Sequence, residues 1–292
     1  MSMTKILITG SKGQLGTEIK ELSAKFSNLQ FFFTDIEELD ISSLDAISNY
    51  LKDKQISYIV NCAAYTNVDQ AEENEDAARL INADAVKNLA TAASQNNITL
   101  IHISTDYVFS GDNSTPYTED QKAKPMGVYG RTKFEGEENV RSTCKKHIII
   151  RTSWLYSPFG KNFLKTMLRL GKEKDSLGVV SDQIGTPTYA HDLASAIIRI
   201  IESIDKNSKF NDFGTYHYSN EGVCSWYDFA TEIQNTSKNK CKINSIESMD
   251  FQCLAKRPHY SVLNKSKIKH IFTIEIPHWR SRIEHCIKRI TE

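Results

Sequence analysis

The sequence lacks a long apolar run and an excess of charge of either sign. Lys plus Arg and Asp plus Glu each number 36, so the net charge is zero, and no stretch has the basic character of a nucleic-acid footprint. No apolar run approaches the ~20 residues that a membrane helix needs, and the amino terminus shows no secretory signal pattern. We therefore expect a cytoplasmic protein that binds neither nucleic acid nor membrane.

Metal-binding and disulfide patterns are also missing from the sequence. The six cysteines include no C-x-x-C pair, which disfavours both a zinc site and a secreted disulfide framework. The eight histidines include no H-x-x-x-H or H-E-x-x-H spacing. We therefore predict reduced thiols and assign no residue to a metal.

The amino terminus carries a pattern typical of dinucleotide binding. The apolar segment Lys5–Thr9 runs directly into three glycines spaced three apart, Gly10, Gly13 and Gly16. The first permits a tight turn, the second lets backbone approach a pyrophosphate, and the third lets the next helix pack closely on the strand. The phosphate would sit at the helix N-terminus. The residues assigned to the cofactor here are Gly10, Ser11, Lys12, Gly13, Gln14, Leu15 and Gly16.

The first 150 residues alternate short β-branched runs with segments of helical periodicity, as a parallel sheet covered on both faces requires. The predicted strands are residues 5–9, 30–34, 58–61, 99–104 and 147–151. The predicted helices are residues 14–27, 44–54, 74–96 and 128–144. The fold class is therefore α/β, a doubly wound parallel Rossmann sheet with a smaller, loop-rich substrate-binding lobe.

The pattern loosens after Arg151, where turn-forming residues become frequent. We predict a dinucleotide-binding domain over residues 1–151, to which residues 188–220 return. Residues 152–187 and 221–292 are assigned mainly to the substrate-binding lobe.

Ligands of open parallel sheets bind beyond the carboxyl ends of the strands, and several candidate residues lie there. Ala63, Ala64 and Tyr65 follow the third predicted strand, and Ser104 ends the fourth. We assign these four residues to the cofactor site.

Asp35 follows the second predicted strand, where a carboxylate can accept hydrogen bonds from both ribose hydroxyls of the adenosine half. It would repel a 2′-phosphate and so favours NADH, whereas Lys12 could neutralise that phosphate and keeps NADPH open. The alternative is that Asp35 only caps a turn. Asp40 and Ile41, in the segment that follows, are also assigned to the cofactor site.

A candidate catalytic group is formed by Thr105 and the Tyr-x-x-x-Lys pair Tyr129 and Lys133. A phenol and an ammonium four residues apart share one helix face, so we expect Lys133 to lower the pKa of Tyr129 from about 10. Lys133 would also bind the nicotinamide-ribose hydroxyls. In a reduction, Tyr129 would protonate the developing alkoxide while Thr105 holds that oxygen. For Asp106, tuning of the site and capping of the strand end are alternative roles, as they are for Ser104. No step of this chemistry needs a metal.

Six segments in the same order along the chain resemble the motifs of extended short-chain dehydrogenases, and more closely those of the dTDP-4-dehydrorhamnose reductase family. They are Gly10-x-x-Gly13-x-x-Gly16, Asn61-Cys62-Ala63-Ala64, Ser104-Thr105-Asp106-Tyr107-Val108-Phe109, Tyr129-Gly130-x-x-Lys133, Arg151-Thr152-Ser153-Trp154 and Asp182-Gln183-x-Gly185-x-Pro187-Thr188. The resemblance implies NAD(P)H-dependent reduction of the 4-keto group of dTDP-4-dehydro-β-L-rhamnose to dTDP-β-L-rhamnose, for bacterial surface polysaccharide.

The resemblance also implies roles for individual residues. The residues implied in catalysis are Tyr129, Lys133, Thr105 and Asp106, and the last two are also expected to contact the substrate. Trp154 would line the sugar pocket, although packing as a core aromatic is the alternative. Gln183 and Arg257 would contribute to the dTDP-sugar site, Arg257 as a cation suited to a pyrophosphate.

The chain departs from the family pattern at three places. Lys256 and Tyr260 replace the commoner Ser and Asn around Arg257, and Tyr65 replaces a residue that is often His. Some members of the family bind Mg²⁺ at a dimer interface, so a homodimer is possible, but the sequence identifies no Mg²⁺ ligands.

Two other functions are compatible with parts of the pattern. A non-catalytic NAD(P)-binding regulatory subunit would have no need of the intact Thr105, Tyr129 and Lys133 set. An NDP-sugar 4-epimerase or dehydratase of the same superfamily would retain its NAD⁺ without net consumption, and the segment 182–188 favours the reductase instead.

Overall fold

A six-stranded parallel sheet forms the centre of the protein in a computed structural model that describes residues 3–291. Residues 1, 2 and 292, which the predicted lobes include, lie outside the described residues. The strands are β1 (Thr4–Thr9), β2 (Leu29–Phe33), β3 (Tyr58–Asn61), β4 (Thr99–Thr105), β5 (His147–Thr152) and β10 (Gly214–His217). Their spatial order is β10-β5-β4-β3-β1-β2, so the winding reverses between β1 and β3. The predicted α/β fold with a doubly wound parallel sheet is confirmed.

Helices cover both faces of this sheet because successive strand residues point to opposite sides. In β1, Ile6 and Ile8 pack towards one face and Leu7 towards the other, and all three are fully buried. The first face carries α1 (Gln14–Ser23), α8 (Ala190–Lys206) and α10 (Ser266–Phe272). The second face carries α2 (Leu44–Leu51), α5 (Ala85–Gln95) and α6 (Val128–Thr143).

A further apolar cluster lies beyond the sheet, and short strand pairs accompany it. Its helices are α7 (Phe163–Glu173), α9 (Trp226–Ser237) and α11 (Trp279–Thr291). Its strand pairs are β6 (Leu155–Tyr156) with β9 (Thr188–Tyr189), β7 (Ser176–Val180) with β12 (Lys242–Ile246), and β8 (Ile184–Gly185) with β11 (Cys224–Ser225). No helix within residues 3–291 is long and apolar enough to cross a bilayer.

The region predicted as one helix over residues 74–96 is divided in the structure. After α3 (Val68–Glu73), this region contains α4 (Glu75–Arg79), a π-helical turn at Leu80–Asp84 and then α5. The π turn carries the fully buried Asn82, whose amide accepts a hydrogen bond from Tyr65 N (2.9 Å) and donates to Tyr65 O (3.1 Å) and Thr132 Oγ1 (3.2 Å). The predicted helix is therefore confirmed in extent, since residues 75–95 are helical throughout, but the prediction missed the π turn that aims a polar side chain inward. The predicted ends of the helices 14–27 and 44–54 were also too late, since α1 ends at Ser23 and α2 at Leu51.

The same turn requires a glycine on α6. A Cβ at Gly136 would lie 2.1 Å from the carbonyl oxygen of Asn82, which belongs to backbone and cannot move as a side chain can. The close approach of α6 to the π turn therefore depends on the missing side chain at this position.

We predict that Gly136→Ala lowers the free energy of unfolding by roughly 2–3 kcal/mol, because the methyl group forces the two helices apart. The measurement is urea unfolding followed by circular dichroism. Ser142→Ala, an exposed change on the same helix, serves as the control and should stay within about 0.5 kcal/mol of the parent. Equal stability of the two variants would contradict the packing argument.

Candidate active site

The glycine turn between β1 and α1 has the geometry of a phosphate-binding loop. Gly10 has a φ of +64°, and a Cβ there would lie 2.6 Å from the Ala63 backbone. A Cβ at Gly16 would lie 2.5 Å from Gly10 O. Gly13 is the N-cap of α1, and no side chain among residues 3–291 caps that helix end. The first-turn amides can therefore serve an anion, and the turn fits the pyrophosphate of a dinucleotide.

The other predicted residues of this turn have different environments. Gln14 Oε1 accepts a hydrogen bond from Asn162 Nδ2 at 2.9 Å, which joins the turn to the start of α7. Ser11 N donates to Thr34 O at 3.0 Å, while Leu15 is buried in the core beneath α1. Leu15 therefore packs in the core, whereas Gln14 contacts the residue that precedes α7.

Asp35 and Lys12, the residues expected to decide between NADH and NADPH, both make local contacts. The Asp35 carboxylate accepts hydrogen bonds from Lys12 N (3.0 Å) and Ile36 N (2.9 Å). The Lys12 ammonium pairs with Glu37 Oε2 at 2.7 Å, and both side chains are exposed. These contacts match the turn-capping alternative for Asp35, yet each of its oxygens keeps a lone pair for a ribose hydroxyl. Glu37 was not anticipated from the sequence.

Asp40, Ile41 and residues 63–65, which are also predicted to bind the cofactor, follow β2 and β3 along the chain. Asp40 accepts hydrogen bonds from the backbone and hydroxyl of Ser42, which lower its pKa, and Ile41 is buried. Ala63 N donates to Asn61 Oδ1 at 3.1 Å. With Tyr65 held by Asn82, the backbone from residue 63 to residue 65 is fixed at the end of β3.

The predicted catalytic residues come together at the carboxyl end of β4. The Thr105 hydroxyl donates to Asp106 Oδ1 at 3.0 Å and accepts a hydrogen bond from Tyr107 N at 3.2 Å. The Tyr129 phenol lies beside Thr105, and hydrogen bonding between them favours the ionised phenol. Lys133 is buried on the same helix and donates to the carbonyl oxygen of Ile103 at 2.7 Å. One strand end therefore holds all four residues of the predicted group.

The pKa values of Tyr129 and Lys133 differ from those expected from the sequence. Burial raises the pKa of Tyr129 to about 12, and the charge of Asp106 adds to the rise while Thr105 opposes it. Burial lowers the pKa of Lys133 to about 8, against the opposing charge of Glu137. The expected net fall in the pKa of Tyr129 is thus wrong, because burial dominates at the phenol and the ammonium is directed at Ile103 O.

Asp106 is a buried carboxylic acid with a raised pKa. Burial raises its pKa to about 6, while the hydroxyls of Ser261 and Thr105 and nearby backbone amides oppose the rise. Its second oxygen, Oδ2, is buried and has no hydrogen-bond partner in the described part of the chain. The Asp106 carboxylate therefore accepts from Thr105 and lies near Ser261, in the segment that follows Arg257.

The Ser104 side chain is directed at α6. Its hydroxyl donates to Glu137 Oε1 at 2.5 Å, and both residues are buried. Glu137 also accepts hydrogen bonds from Arg151 Nε (2.9 Å) and Nη2 (2.7 Å). Glu137 was missed by the sequence analysis, although its position four residues after Lys133 places it on the same face of α6.

The predicted sugar-pocket residue Trp154 is stacked on Trp226, with ring centroids 3.6 Å apart and an interplanar angle of 12°. Its φ of +47° is uncommon for a bulky residue and marks a constrained position. A Cβ at Gly185 would lie 2.7 Å from the indole and 2.8 Å from Ser261 Oγ. Trp154 is therefore half-buried beside Ser261 rather than enclosed in the core.

The other two predicted substrate residues lie at the two ends of the segment 248–257. Gln183 is buried, and its Nε2 donates to Ser248 Oγ at 2.9 Å. Arg257 Nη2 donates to Asp69 Oδ2 at 3.0 Å, and its buried Nε lacks a hydrogen-bond partner among residues 3–291. Arg257 also acts electrostatically on Tyr107, whose ring meets Tyr129 edge to face with centroids 5.5 Å apart. The structure thus connects Arg257 to the catalytic group, whereas Gln183 contacts that group through no described hydrogen bond.

The chain resembles known proteins over nearly its whole length. The family model of the RmlD substrate binding domain matches residues 3–292. A dTDP-4-dehydrorhamnose reductase of Aggregatibacter actinomycetemcomitans is 41% identical over 289 residues, covering 97% of this chain and 98% of its own. The chain belongs to the dTDP-4-dehydrorhamnose reductase family.

Solved structures of this family superpose closely on the chain. A dTDP-4-dehydrorhamnose reductase of Clostridium acetobutylicum is 40% identical with a TM-score of 0.93, covering 99% of this chain and 100% of its own. One from Bacillus anthracis, solved in complex with NADP, is 37% identical with a TM-score of 0.92 and covers 98% and 99%. No group of three or more His, Cys, Asp or Glu within residues 3–291 could hold a metal ion.

The geometry at Asp35 predicts a shift in cofactor choice. Asp35→Asn should raise the ratio of kcat/KM with NADPH to kcat/KM with NADH by roughly three- to tenfold, because removal of the carboxylate charge relieves repulsion of a 2′-phosphate. The amide still accepts a hydrogen bond from Lys12 N, so the turn is retained. The ratio is measured by the oxidation of each cofactor at 340 nm with one 4-keto sugar.

Asp45→Asn, an exposed change on α2, is the matched control and should leave the ratio unchanged. A ratio in Asp35→Asn equal to that of the parent would mean that the carboxylate acts only on the turn.

Proposed function

We propose that this chain catalyses NAD(P)H-dependent reduction of the C4 keto group of dTDP-4-dehydro-β-L-rhamnose, giving dTDP-β-L-rhamnose. The observation that carries the proposal is the meeting of Thr105, Tyr129 and Lys133 at the end of β4 in a chain about 40% identical to enzymes of that name. A binding module has no need of a buried phenol with a buried ammonium on the same helix face, so the cluster supports catalysis.

The cofactor is held by the glycine turn and by the residues after β2 and β3. The uncapped amides of α1 serve the pyrophosphate, Asp35 serves the adenosine ribose, and the fixed backbone from residue 63 to residue 65 borders the nicotinamide half. Lys133 serves the nicotinamide ribose. When bound, the reduced cofactor supplies hydride to the carbonyl carbon.

The proton for the product hydroxyl comes from Tyr129. A phenol with a pKa of about 12 remains protonated at neutral pH, so it can donate to the carbonyl oxygen as negative charge develops there. The Thr105 hydroxyl lies between Asp106 and the phenol and orients the phenolic O–H. The Lys133 ammonium provides positive charge on the same helix face, which stabilises the phenolate left after the transfer.

In this proposal, the nucleotide sugar lies between the central sheet and the apolar cluster of α7, α9 and α11. Trp154, supported by the stack with Trp226, forms a flat wall for the sugar ring. Arg257 carries a charge suited to the pyrophosphate, with Asp69 as its counterion in the structure, and Gln183 offers an amide at the far end of the segment 248–257.

We also propose the two-lobe division predicted from the sequence, with residues 1–151 and 188–220 in the cofactor lobe and residues 152–187 and 221–292 mainly in the substrate lobe. The placement of β10 and α8 on the central sheet supports the return of the chain to the cofactor lobe. The packing of α10 on the same face supports assigning part of the last segment to the cofactor lobe as well. A cytoplasmic location and a homodimer remain parts of the proposal, and light scattering of the purified protein tests the dimer.

The test of function is cofactor oxidation against a panel of dTDP-, UDP- and GDP-linked 4-keto-6-deoxysugars. Stoichiometric consumption of reduced cofactor with the dTDP sugar supports the reductase. Conversion without net cofactor consumption would indicate an epimerase or dehydratase. Cofactor binding without conversion of any sugar would indicate a regulatory subunit.

Tyr129→Phe should lower kcat by roughly 100-fold or more while leaving NADPH binding nearly unchanged, because the ring is retained and only the proton donor is lost. The measurements are turnover by cofactor oxidation and NADPH affinity by fluorescence. Tyr107→Phe, on the neighbouring ring, is the matched control and should stay within a few-fold of the parent. Near-parental turnover in Tyr129→Phe would rule out the proposed proton donor.

A further inference from the structure

Three successive residues of β4 are joined to one face of α6. The carbonyl of Ile103 accepts from Lys133 Nζ at 2.7 Å, and the hydroxyl of Ser104 donates to Glu137 Oε1 at 2.5 Å. The third residue, Thr105, is the one that meets Tyr129. The contacts with Lys133 and Glu137 therefore fix how far α6 can slide or rotate against the strand that carries Thr105.

Glu137 is a buried anion in this seam. Burial alone would raise its pKa, but hydrogen bonds and charge from Arg151, with the further charge of Arg141, hold the pKa below its usual value. Arg141 Nη2 donates to Oε2 at 2.5 Å, and Arg151 binds both carboxylate oxygens. Such a carboxylate is ionised at neutral pH, and its two arginines come from α6 and β5.

The groups that face Lys133 from the surrounding elements supply little other negative charge. Burial raises the pKa of Cys62, after β3, to about 12, so this thiol is neutral. Burial lowers the pKa of His102, on β4, and leaves its imidazole neutral as well. On α6 itself, Tyr129 keeps its proton, and the charge of Glu137 raises the pKa of Lys133 against the effect of burial.

We propose that Glu137, buried one helical turn after Lys133 in this seam, is a positioning residue for the reduction: its negative charge supports the Lys133 ammonium, and its hydrogen bonds hold α6 in register with β4 so that Tyr129 meets Thr105. This inference rests on the proposed function. It assigns to Glu137 an effect on the reaction through Lys133, separate from the packing role that any buried ion pair has.

The test compares Glu137→Gln with Glu138→Gln. The first change removes the charge but keeps an oxygen that can accept from Ser104 or Arg151. The second removes a carboxylate that also pairs with Arg141 but lies exposed at the helix surface. For the parent and both variants, kcat is measured against pH by cofactor oxidation, and NADPH affinity is measured against pH by fluorescence.

Loss of the Glu137 charge lowers the pKa of Lys133, so the ammonium is lost at a lower pH. In Glu137→Gln, the alkaline fall of kcat and of NADPH affinity should therefore move to lower pH by roughly one unit. Glu138→Gln should follow the parent. An unmoved alkaline fall in Glu137→Gln, or an equal shift in both variants, would overturn the proposal, because a purely structural role lowers activity without moving the pH dependence.

Loss of a partner from a buried ion pair can prevent folding, so Ser104→Ala provides a second test. It removes only the hydroxyl that joins β4 to Glu137 and leaves the arginine contacts intact. We expect kcat to fall roughly three- to tenfold with thermal unfolding close to that of the parent. An unchanged kcat in a folded Ser104→Ala variant would remove the register role. If the parent reduces no sugar of the panel, the proposed function fails, while the pH dependence of NADPH binding still tests the coupling of Glu137 to Lys133.

Discussion

The burial of positive charge beneath α6 constrains the whole catalytic group. Lys133 and Arg151 are almost fully enclosed, and a cation in such a place is stable only with a counter-charge and hydrogen bonds. Glu137 on α6 pairs directly with Arg151 of β5 and lies one helical turn from Lys133. These contacts hold α6 directly on β4 and β5. The close approach also requires Gly130 and Gly136, since a Cβ at either would lie within 2.3 Å of a carbonyl oxygen of a neighbouring segment. Side-chain charge and missing side chains thus act together to place Tyr129.

A second buried carboxylate joins α1 to two other helices in a similar way. Glu18 on α1 is fully buried and accepts two hydrogen bonds from Arg289 of α11, at 3.0 Å and 2.9 Å, with His191 of α8 at 3.1 Å. The helix whose first-turn amides lack a side-chain cap is therefore tied to α11. Because breaking a buried pair leaves an uncompensated charge, a loss of Arg289 would disturb the glycine turn through α1 and not through contact with the cofactor.

Much of the fold could be predicted from the sequence because its signals are local. The strands β1 to β5 are short runs of β-branched and aromatic residues bounded by turns, and the glycine spacing identifies the first turn by itself. The π turn could not be predicted, since it depends on Asn82 meeting Tyr65 and Thr132 from other parts of the chain. The counterion Asp69 and the stacking partner Trp226 could not be predicted for the same reason. Each is recognised only by its partner in space.

The raised pKa of Tyr129 could not be predicted from the sequence for the same reason. A Tyr-x-x-x-Lys spacing shows that phenol and ammonium share a helix face, but burial and Asp106, which raise the pKa of the phenol, are set by the tertiary structure. A phenol that keeps its proton is ready to supply it to a carbonyl oxygen, whereas the reverse oxidation would first require its ionisation. The resting protonation state thus suits reduction, while the equilibrium itself is set by the cofactor and the sugar. In the proposed reduction, a nearby cation stabilises the phenolate left after the transfer, and we assign that part to Lys133, whose ammonium form the charge of Glu137 favours.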